Sequence, residues 1–384
     1  MTTVARKLFC DGGKVAIVLD GTFIYIQKSS NYGFQRQSYS GHKHRPLLKP
    51  FMIVAPDGYI IDVFGPYKGT VNDAAIMKQV SEQVRSVLGE GDVVLVDRGF
   101  RDAVDHLTAL GLDVRMPDLK VGKQLTTEQA NRTRLVTKCR WIVEARNGHL
   151  KRCFRDFDRV WPNQSIPHMM KDFRIACAIL NVFHPIIDND KRDGLTLATS
   201  MLDRLDEDNI LANAVAALNL NRESSSDKWE RIDGSLDYLD EFPHLSEEDL
   251  RSITVGSYQL RQARSYYAEH IKINGSYVID VCKHTGDLSL SSHGFSVGDP
   301  LLIRGQSRHR SSTRYFIYIL IDKAVQVDVK EGVDSVSSYS CSCPNGYRTV
   351  GCCAHVATVL WYFGFGRHQS EILIPAEFLL KKQE

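Results

Sequence analysis

Short hydrophobic runs rich in β-branched residues predict β-strands in the first third of the chain. They occupy positions 15–19, 22–26, 50–55, 59–64, 92–96 and 112–116. Asp20-Gly21 lies between the first two runs, and this pair is typical of type I′ turns, so the pattern predicts a hairpin there. Pro56-Asp57-Gly58 predicts a second turn, between the third and fourth runs.

Apolar residues spaced three or four positions apart predict helices between and after these strands. The predicted helices span 74–88, 102–110, 126–153 and 171–183. The order β-β-β(β)-α-β-α-β-α predicts an α/β fold class. Further along the chain we expect helical patches over 195–220, a flexible point at 224–227, a helix over 246–267 and strands between 276 and 339.

The chain has 384 residues, of which 43% are hydrophobic and 24% charged, and this composition excludes a wholly disordered or collagenous chain. Its length predicts two or three folded units. No apolar run approaches the ~20 residues of a membrane span, and the start has no apolar signal-peptide core. We therefore expect a soluble protein of a reducing, intracellular compartment. The absence of a P-loop motif argues against a P-loop ATPase.

The net charge of +2 conceals an uneven distribution. Residues 1–187 hold 27 Lys and Arg against 18 Asp and Glu, residues 188–249 hold 6 against 17, and residues 250–384 hold 15 against 11. Two basic regions therefore flank an acidic connector, which suits an anionic partner for the outer regions. In the last region, the basic segment Arg304 to Arg314, with Ser-Arg-His-Arg at 307–310, could contact phosphate or could be a solvated loop.

Three carboxylates stand where a two-metal site for phosphoryl transfer would need them. Asp20 ends the first predicted strand, Asp97 follows the buried strand after the first long helix, and Glu144 lies within the longest predicted helix. Carboxylates at neighbouring strand ends can hold two Mg²⁺ or Mn²⁺ ions, and a helix packed across the sheet can supply another ligand. Each residue also has a structural alternative: a turn for Asp20, a helix cap for Asp97 and a partner of Arg140 for Glu144.

Sequence motifs in this region carry a resemblance to a known family. They are Val-Leu-Asp-Gly-Thr (18–22), Gly-Pro-Tyr-Lys-Gly-Thr-Val-Asn-Asp (65–73), Val-Leu-Val-Asp-Arg-Gly-Phe (94–100) and Arg-Trp-Ile-Val-Glu-Ala-Arg-Asn-Gly-His-Leu-Lys (140–151). In this order they resemble the DDE superfamily endonuclease domains of Harbinger-like and insertion-sequence-5-like transposases, over about residues 15–183. The resemblance implies an RNase H-like mixed sheet flanked by helices and cut-and-paste DNA chemistry. It also implies that Asp20, Asp97 and Glu144 form the catalytic, metal-binding triad.

Further residues match the family in a supporting way. Asp73 matches a family aspartate near the site, although it could instead cap the helix at 74–88. Arg140 and Lys151 are implied to face DNA phosphates, with surface salt bridges as the alternative. Members of the family usually carry a helical DNA-binding segment before the first catalytic strand, whereas 14 residues precede Val15 here. This difference implies a separate DNA-binding protein as partner, or a missing N-terminal segment.

Cysteine and histidine residues in the last part of the chain have the spacing of a metal site. Cys341-Ser-Cys343 and Cys353-Ala-His355 form the pattern C-x-C-x₉-C-x-H, which offers three thiolates and one imidazole to a single structural Zn²⁺. Cys352 is an alternative to Cys353, but only Cys353 gives the C-x-H spacing. Four buried cysteines without metal are a further alternative. The pattern resembles the SWIM zinc finger, over about residues 325–364, a module associated with DNA or protein binding.

Together these patterns predict four regions. They are a DDE endonuclease domain (15–184), an acidic, partly helical connector (185–245), a helix with short strands (246–324) and a small α+β SWIM zinc finger (325–364). We expect a transposon-derived, nuclear DDE transposase or endonuclease that cuts and joins DNA phosphodiesters with two divalent ions. The alternative is a domesticated, catalytically idle DNA- or chromatin-binding protein. The expected partners are DNA, a separate DNA-binding protein and a second copy in a homo-oligomer, with no membrane partner.

Overall fold

The structure, a computed structural model, describes residues 1–221, 228–232, 241–267, 278–283, 285–288, 290–309, 313–327, 332–370 and 372. The chain divides into two compact units. The first comprises Met1–Leu119 and Thr133–Thr199, and the second comprises Lys120–Arg132 and the chain from Ser200 onward.

Between residues 45 and 183 the helices and strands follow the predicted order, but the helices Thr3–Phe9 and Tyr32–Ser38 and the short strand Tyr39–Ser40 were not predicted. The helices are α1 (Thr3–Phe9), α2 (Tyr32–Ser38), α3 (Asp73–Val87), α4 (Val104–Ala109), α5 (Thr127–Cys153), α6 (Ile166–Phe183), α7 (Gly194–Asp203), α8 (Ile210–Ala217), α9 (Glu247–Thr254), α10 (Tyr258–Tyr266) and α11 (Ala354–Gly364). The strands are β1 (Ala16–Gly21), β2 (Ile24–Tyr25), β3 (Tyr39–Ser40), β4 (Arg45–Val54), β5 (Ile60–Lys68), β6 (Val93–Leu95), β7 (Asp113–Arg115), β8 (Trp229–Arg231), β9 (Val278–Cys282), β10 (Pro300–His309), β11 (Thr313–Asp322) and β12 (Val336–Cys341). Within the described part of the chain, no helix is both long and apolar enough to cross a membrane.

The strands of the first unit form a seven-stranded mixed sheet. β1 pairs in parallel with β6 and antiparallel with β4, and β6 pairs in parallel with β7. β4 also pairs antiparallel with β5, as the turn at Pro56-Asp57-Gly58 predicts, and with β2 and β3. The mixed sheet and its flanking helices confirm the predicted α/β fold class.

The predicted hairpin at Asp20-Gly21 is wrong. β1 lies between β4 and β6, and β2 pairs with β4 instead. Asp20 and Gly21 continue β1, where they pair with Met52 and Phe51. A type I′ turn requires positive φ angles at both central residues, whereas these two residues are part of an extended strand. Asp20 therefore occupies the end of a central strand.

Helices cover both faces of this sheet and bury an apolar core on each. Val18 of β1 packs in one core with Val143 of α5. Its neighbour Leu19 packs in the other core with Met77 of α3. Because successive side chains of a strand alternate between faces, Asp20 shares the face of Val18, which α5 covers.

The second unit contains a five-stranded antiparallel sheet in the order β12-β11-β10-β9-β8. α11 packs against it in a core that includes Val356 and Leu360 of the helix and Ile317 and Ile319 of β11. β12 ends at Cys341, and α11 begins directly after Cys353. This small sheet and its C-terminal helix agree with the predicted α+β arrangement.

The predicted continuous helix over 246–267 is wrong. Ser246 begins α9 with a capping box to Asp249, as the sequence predicts. Val255 and Gly256 then have φ angles of 51° and 114°, and this left-handed backbone ends α9 before α10 begins. The predicted flexible point at 224–227 lies outside the described residues.

Arg304 belongs to a strand and is buried, so its assignment to a solvated or phosphate-binding loop is wrong. It lies in β10, and its guanidinium donates to the Asp280 carboxylate of β9 at 2.8 and 3.1 Å. The same guanidinium stands 4.2 Å from the centroid of the Trp229 ring in β8. Both members of the ion pair are buried, so Arg304 links three strands of the sheet.

Candidate active site and metal centre

Asp20 and Asp97 stand beside each other at the ends of two parallel strands. Val18 of β1 pairs with Leu95 of β6, so each strand reaches one aspartate two residues later. Both aspartates therefore share the face of the sheet that α5 covers. Asp97 Oδ1 also accepts a hydrogen bond from Gly99 N at 2.7 Å, so this residue caps the following 3₁₀ turn as well.

Asp73 reaches the same edge of the sheet from the start of α3. Asn72 caps that helix, because its side chain accepts a hydrogen bond from Ala75 N at 2.8 Å, so the capping alternative for Asp73 is wrong. A Cβ atom at Gly21 would lie 2.6 Å from Asp73 Oδ1. Residue 21 must therefore lack a side chain for Asp73 to reach this position. Asp73 Oδ2 also lies close to Gly99, the residue whose backbone binds Asp97.

Glu144 lies on α5 with most of its side chain in solvent. Arg140, one turn earlier, donates to Glu144 Oε1 at 2.5 Å. The Glu144 side chain is 57% exposed, whereas that of Arg140 is 18% exposed. The ion pair foreseen as a structural alternative is therefore present, and it holds the Glu144 carboxylate at the helix surface.

Burial and like charges dominate the electrostatics of the acidic residues. Burial raises the pKa of Asp20 to about 7, and the carboxylates of Asp97 and Asp73 add to the rise. The nearby Arg140 guanidinium opposes it. Burial and Asp97 likewise raise the pKa of Asp73, although Lys49 Nζ, 3.6 Å from Asp73 Oδ1, partly compensates. The site therefore concentrates negative charge that a cation would neutralise.

The acidic residues fit a divalent metal in their chemistry. Carboxylate oxygens are the hard donors that Mg²⁺ and Mn²⁺ prefer. Asp73 Oδ1 is buried and has no hydrogen-bond partner among the described residues, so it is available to a cation. In the described part of the chain, the acidic side chains do not form a group as close as the Cys and His cluster of the second unit. A divalent ion would therefore have to draw these carboxylates together.

A group of basic and aromatic side chains also meets in the first unit. We name Phe23, Tyr25, Lys43, Arg45 and Lys151 the basic-aromatic cluster. Lys151 Nζ is 3.8 Å and Lys43 Nζ 4.8 Å from the centroid of the Phe23 ring, and the Arg45 guanidinium is 5.3 Å from that of Tyr25. The two rings are 5.1 Å apart. Burial lowers the pKa of Lys151, because it removes water from the charged ammonium group.

The basic-aromatic cluster follows the acidic residues along two elements. Phe23 comes three positions after Asp20, and Lys151 lies two helical turns after Glu144 on the same side of α5. The sequence analysis predicted a role for Lys151 but missed Phe23, Lys43 and Arg45. The signal that could have indicated them is the alternation Phe23-x-Tyr25, which puts both rings on one face.

The four predicted zinc ligands converge in the second unit. One ligand atom from each of Cys341, Cys343, Cys353 and His355 lies within 4.8 Å of the others, and all four residues are buried. His355 Nδ1 is 3.9 Å from the Sγ atoms of Cys341 and Cys353. Three thiols and one imidazole in a closed, buried set fit Zn²⁺, which such sites bind tetrahedrally.

Local structure explains how this cluster forms. Cys341 ends β12, and Gly346 N donates to Cys343 O in the turn that follows, at 2.9 Å. Cys353 occupies the position before α11, which carries His355 in its first turn. Hydrogen bonds with the Cys341 and Cys343 thiols hold the pKa of Cys353 well below its usual range. Cys352 is buried nearby but does not belong to the close group.

Comparisons with known families identify two segments of the chain. Residues 19–181 match the family described as DDE superfamily endonuclease, and this segment includes Asp20, Asp97 and Glu144. Residues 325–364 match the SWIM zinc finger, and they include the Cys and His cluster. No curated protein and no solved structure matches the chain. The two resemblances seen in the sequence motifs are therefore confirmed.

Proposed function

We propose that this chain is a transposon-derived DDE transposase or endonuclease that cuts and joins DNA phosphodiesters with two divalent metal ions. The match of residues 19–181 supports a transposase-like nuclease. The observation that carries the finer assignment is the pairing of β1 with β6. It sets Asp20 beside Asp97 at the same edge of the sheet, where Asp73 also arrives.

Each acidic residue has its own role in this proposal. Asp20 and Asp97 hold the ions from the strand ends, and Glu144 completes the set from α5. Divalent ions bound there would activate the attacking water or DNA 3′-hydroxyl and stabilise the leaving oxygen. Glu144 must leave Arg140 to take part, since the two side chains are paired. Arg140 then becomes available to a DNA phosphate next to the site.

Asp73 supports the other two aspartates rather than replacing Glu144. Its buried Oδ1 atom has Lys49 Nζ as a neighbour at 3.6 Å and accepts no hydrogen bond from the described residues. A carboxylate in this state gains from a cation, because burial has removed much of its hydration. We therefore assign Asp73 to the binding of one of the divalent ions.

The basic-aromatic cluster is the surface on which we propose that DNA lies as it approaches the acidic site. Lys43, Arg45 and Lys151 supply positive charge, and the Phe23 ring holds two of the three ammonium or guanidinium groups near one another. Contacts of this kind bind the phosphate backbone without reading the bases. The chain alone is therefore expected to bind DNA with little preference for sequence, and a separate DNA-binding protein would supply the preference.

The second unit contributes a zinc finger to the same protein. We propose that Cys341, Cys343, Cys353 and His355 hold one Zn²⁺ ion in a structural role. The closed set of four ligands supports this, because catalytic zinc sites keep one position open for water or substrate. The finger would then present its surface to DNA or to a protein partner.

Nicking of supercoiled plasmid by the full chain tests the proposed activity. We expect nicking with Mg²⁺ or Mn²⁺, and Asp97→Asn should reduce it by about 100-fold or more, because metal ions contribute several kcal/mol to such reactions. Asparagine keeps an oxygen that can accept from Gly99 N, so the melting temperature should not fall. Asp172→Asn, an exposed residue of α6, is the matched control and should keep full activity.

Two outcomes would contradict the proposal in different ways. Undiminished nicking by Asp97→Asn would show that the acidic site is not the catalytic one. If the chain binds DNA and divalent metal but cuts neither strand, the idle DNA-binding alternative would be favoured over the transposase.

A further inference from the structure

The start of α5 folds with the second unit, although the rest of this helix folds with the first. Lys120–Arg132 belong to the second unit, and α5 runs without a break from residue 127 to residue 153. Its first turn is closed by local bonds: Gln129 N donates to Thr126 Oγ1 at 3.2 Å, and Thr126 N donates to Gln129 Oε1 at 3.1 Å. These bonds set where α5 begins, and contacts with distant residues hold this start in place.

Asn131, in the second turn of α5, binds the backbone of the zinc-finger segment. Its Oδ1 atom accepts from Thr349 N at 2.9 Å and from Val350 N at 3.1 Å. Its Nδ2 atom donates to Leu205 O at 2.9 Å and to Thr349 Oγ1 at 2.8 Å. These bonds use both donors and both acceptor sites of an amide that is fully buried. Asparagine favours helices only weakly, so tertiary contacts rather than helix propensity account for this residue.

The residues before α5 bind the turn that carries the zinc ligands. Gln124 Nε2 donates to Cys341 O at 2.7 Å, and Leu125 N donates to Pro344 O at 3.0 Å. The Leu125 side chain is buried as well. Cys341 is itself one of the four zinc ligands, and Pro344 directly follows another, Cys343. The backbone that presents the zinc ligands therefore also holds the segment that leads into α5.

The next residues of α5 are linked by hydrogen bonds to the neighbour of Asp97. Thr133 Oγ1 accepts from Asp118 N at 2.9 Å. The carbonyl oxygen of Asp118 accepts from Arg98 Nη2 at 2.6 Å, and Arg98 directly follows Asp97. Thr133 comes two positions after Asn131 on the same helix. An unbroken series of covalent and hydrogen-bonded steps therefore runs from the zinc-finger backbone to a residue of the acidic site.

We propose that the zinc finger anchors the start of α5, and that Asn131 is the positioning residue through which it supports the acidic site. The second part of this inference rests on the proposed function. Without zinc, the backbone around the ligands loses its fixed geometry, and the bonds to residues 124, 125 and 131 are lost with it. The first turns of α5 then open locally, because short helical segments need tertiary contacts. Asp118 and Arg98 lose a fixed support, and Asp97 is held less firmly.

Hydrogen exchange over residues 125–135 of the full chain tests the anchor without reference to nuclease activity. Asn131→Ala and Cys353→Ser should each speed exchange there by about 100-fold, because buried backbone groups lose their partners and the helix start opens. Gln124→Ala removes a single bond and should speed it by about tenfold, which keeps the test decisive if Asn131→Ala does not fold. Asn213→Ala, an exposed asparagine of α8, is the matched control and should change nothing. Exchange that stays slow in Cys353→Ser would overturn the anchor.

Nicking kinetics test the positioning role. Asn131→Ala should keep its zinc and lower kcat by about tenfold, with the KM for DNA unchanged, because Asn131 acts on the acidic site only through other residues. Asn213→Ala should keep the wild-type kcat. An undiminished kcat in Asn131→Ala would overturn the positioning role. A wild-type chain that does not nick DNA would contradict the proposed function instead, and the exchange measurement would still decide whether the zinc finger anchors α5.

Discussion

The two candidate metal centres of this chain differ in how far their ligands are assembled. In the second unit, Cys341, Cys343, Cys353 and His355 are buried with their ligand atoms within 4.8 Å of one another. In the first unit, Asp20 is half-buried, while Glu144 is 57% exposed and paired with Arg140. The ligands of the zinc centre, the closed centre, are already assembled without an ion. At the acidic centre, the open centre, Glu144 must move before it can bind one.

This difference reflects what each centre has to do. A structural zinc ion stabilises the fold around it, so its ligands are fixed by the local backbone. A catalytic ion needs room for substrate beside it. Its ligands come from four elements, β1, α3, α5 and the residues just after β6, which meet at one edge of the sheet. Repulsion among these carboxylates also opposes their close approach without a cation. The closed centre should therefore govern folding, and the open one chemistry.

The largest expected effect is the loss of zinc from the closed centre. Cys353→Ser should release one Zn²⁺ per chain and unfold the region 325–364, because structural zinc in such sites contributes about 10–16 kcal/mol at neutral pH. The endonuclease domain should keep its own thermal transition. Zinc content by atomic emission and the number of transitions by calorimetry measure the two parts of this prediction.

Cys352→Ser is the matched control, since Cys352 is the buried neighbour that lies outside the close group. It should keep its zinc and lose at most the few kcal/mol of an altered core contact. If Cys352→Ser releases zinc and Cys353→Ser does not, the ligand set is wrong. Cys352 would then replace Cys353 as a ligand of the closed centre.

Local patterns in the sequence predict the parts of the molecule that local structure determines. The zinc ligands are an example, because a strand end, a turn and a helix start bring Cys341, Cys343 and Cys353 together within one short stretch of the chain. The strands that lead to Asp20 and Asp97 are also predicted correctly, because each is a short apolar run in the sequence. Their role at the sheet edge then follows from the rule that parallel strands end at the same edge.

Pairing between distant residues is what the sequence does not reveal. Asp20-Gly21 has the composition of a turn, yet β1 pairs with β4 and β6, which lie far along the chain. The basic-aromatic cluster likewise depends on side chains from β2, β4 and α5 that meet only in the folded unit. Arg304 looks like a surface charge until its buried partner Asp280 is known. Asn72 and Asp73 are both good caps, and only the backbone shows that Asn72 has this role.

The next largest effect is a dependence of stability on pH in protein stripped of divalent metal. The pKa of Asp20 is about 7 in the folded chain and near 4 when unfolded, so the folded state binds a proton more tightly. The stability that Asp20 contributes is then fully present below about pH 4. It declines as the pH rises through 7, by about 4 kcal/mol at most. Urea denaturation at several pH values, in buffer without Mg²⁺ or Mn²⁺ and without a chelator that would remove the zinc, measures this loss.

Asp20→Asn sharpens the pH experiment. Asparagine cannot ionise, so the decline between about pH 4 and 7 should be largely absent in this variant. Mg²⁺ or Mn²⁺ should restore stability to the wild-type chain near pH 8, because the ions bind the ionised carboxylates. If the stability of the wild-type chain is constant over this range, or rises, burial and the neighbouring carboxylates do not raise the pKa of Asp20 as inferred.

A smaller effect separates Asp73 from Glu144. Asp73→Asn should weaken Mn²⁺ binding to the full chain by about tenfold, since the buried Asp73 carboxylate has been assigned to an ion. Glu144→Gln should change Mn²⁺ affinity less, because Glu144 is exposed and paired with Arg140, although it should reduce nicking strongly. Calorimetric titration with Mn²⁺ gives the affinities, and Asp172→Asn is the control. Equal losses for both variants would mean that Glu144 is already part of the assembled site.

The smallest effect concerns the surface beside the open centre. Lys151→Ala should lower the slope of log affinity against log salt by about one unit, the contribution of one phosphate contact, for every DNA sequence alike. Phe23→Leu should weaken binding at low salt with little change of slope, because all cations remain but the ring that holds Lys43 and Lys151 is gone. Lys171→Ala, an exposed lysine on α6, should leave both quantities unchanged. A loss confined to one DNA sequence would mean that Lys151 reads bases, and the open centre would then select its target without a separate DNA-binding protein.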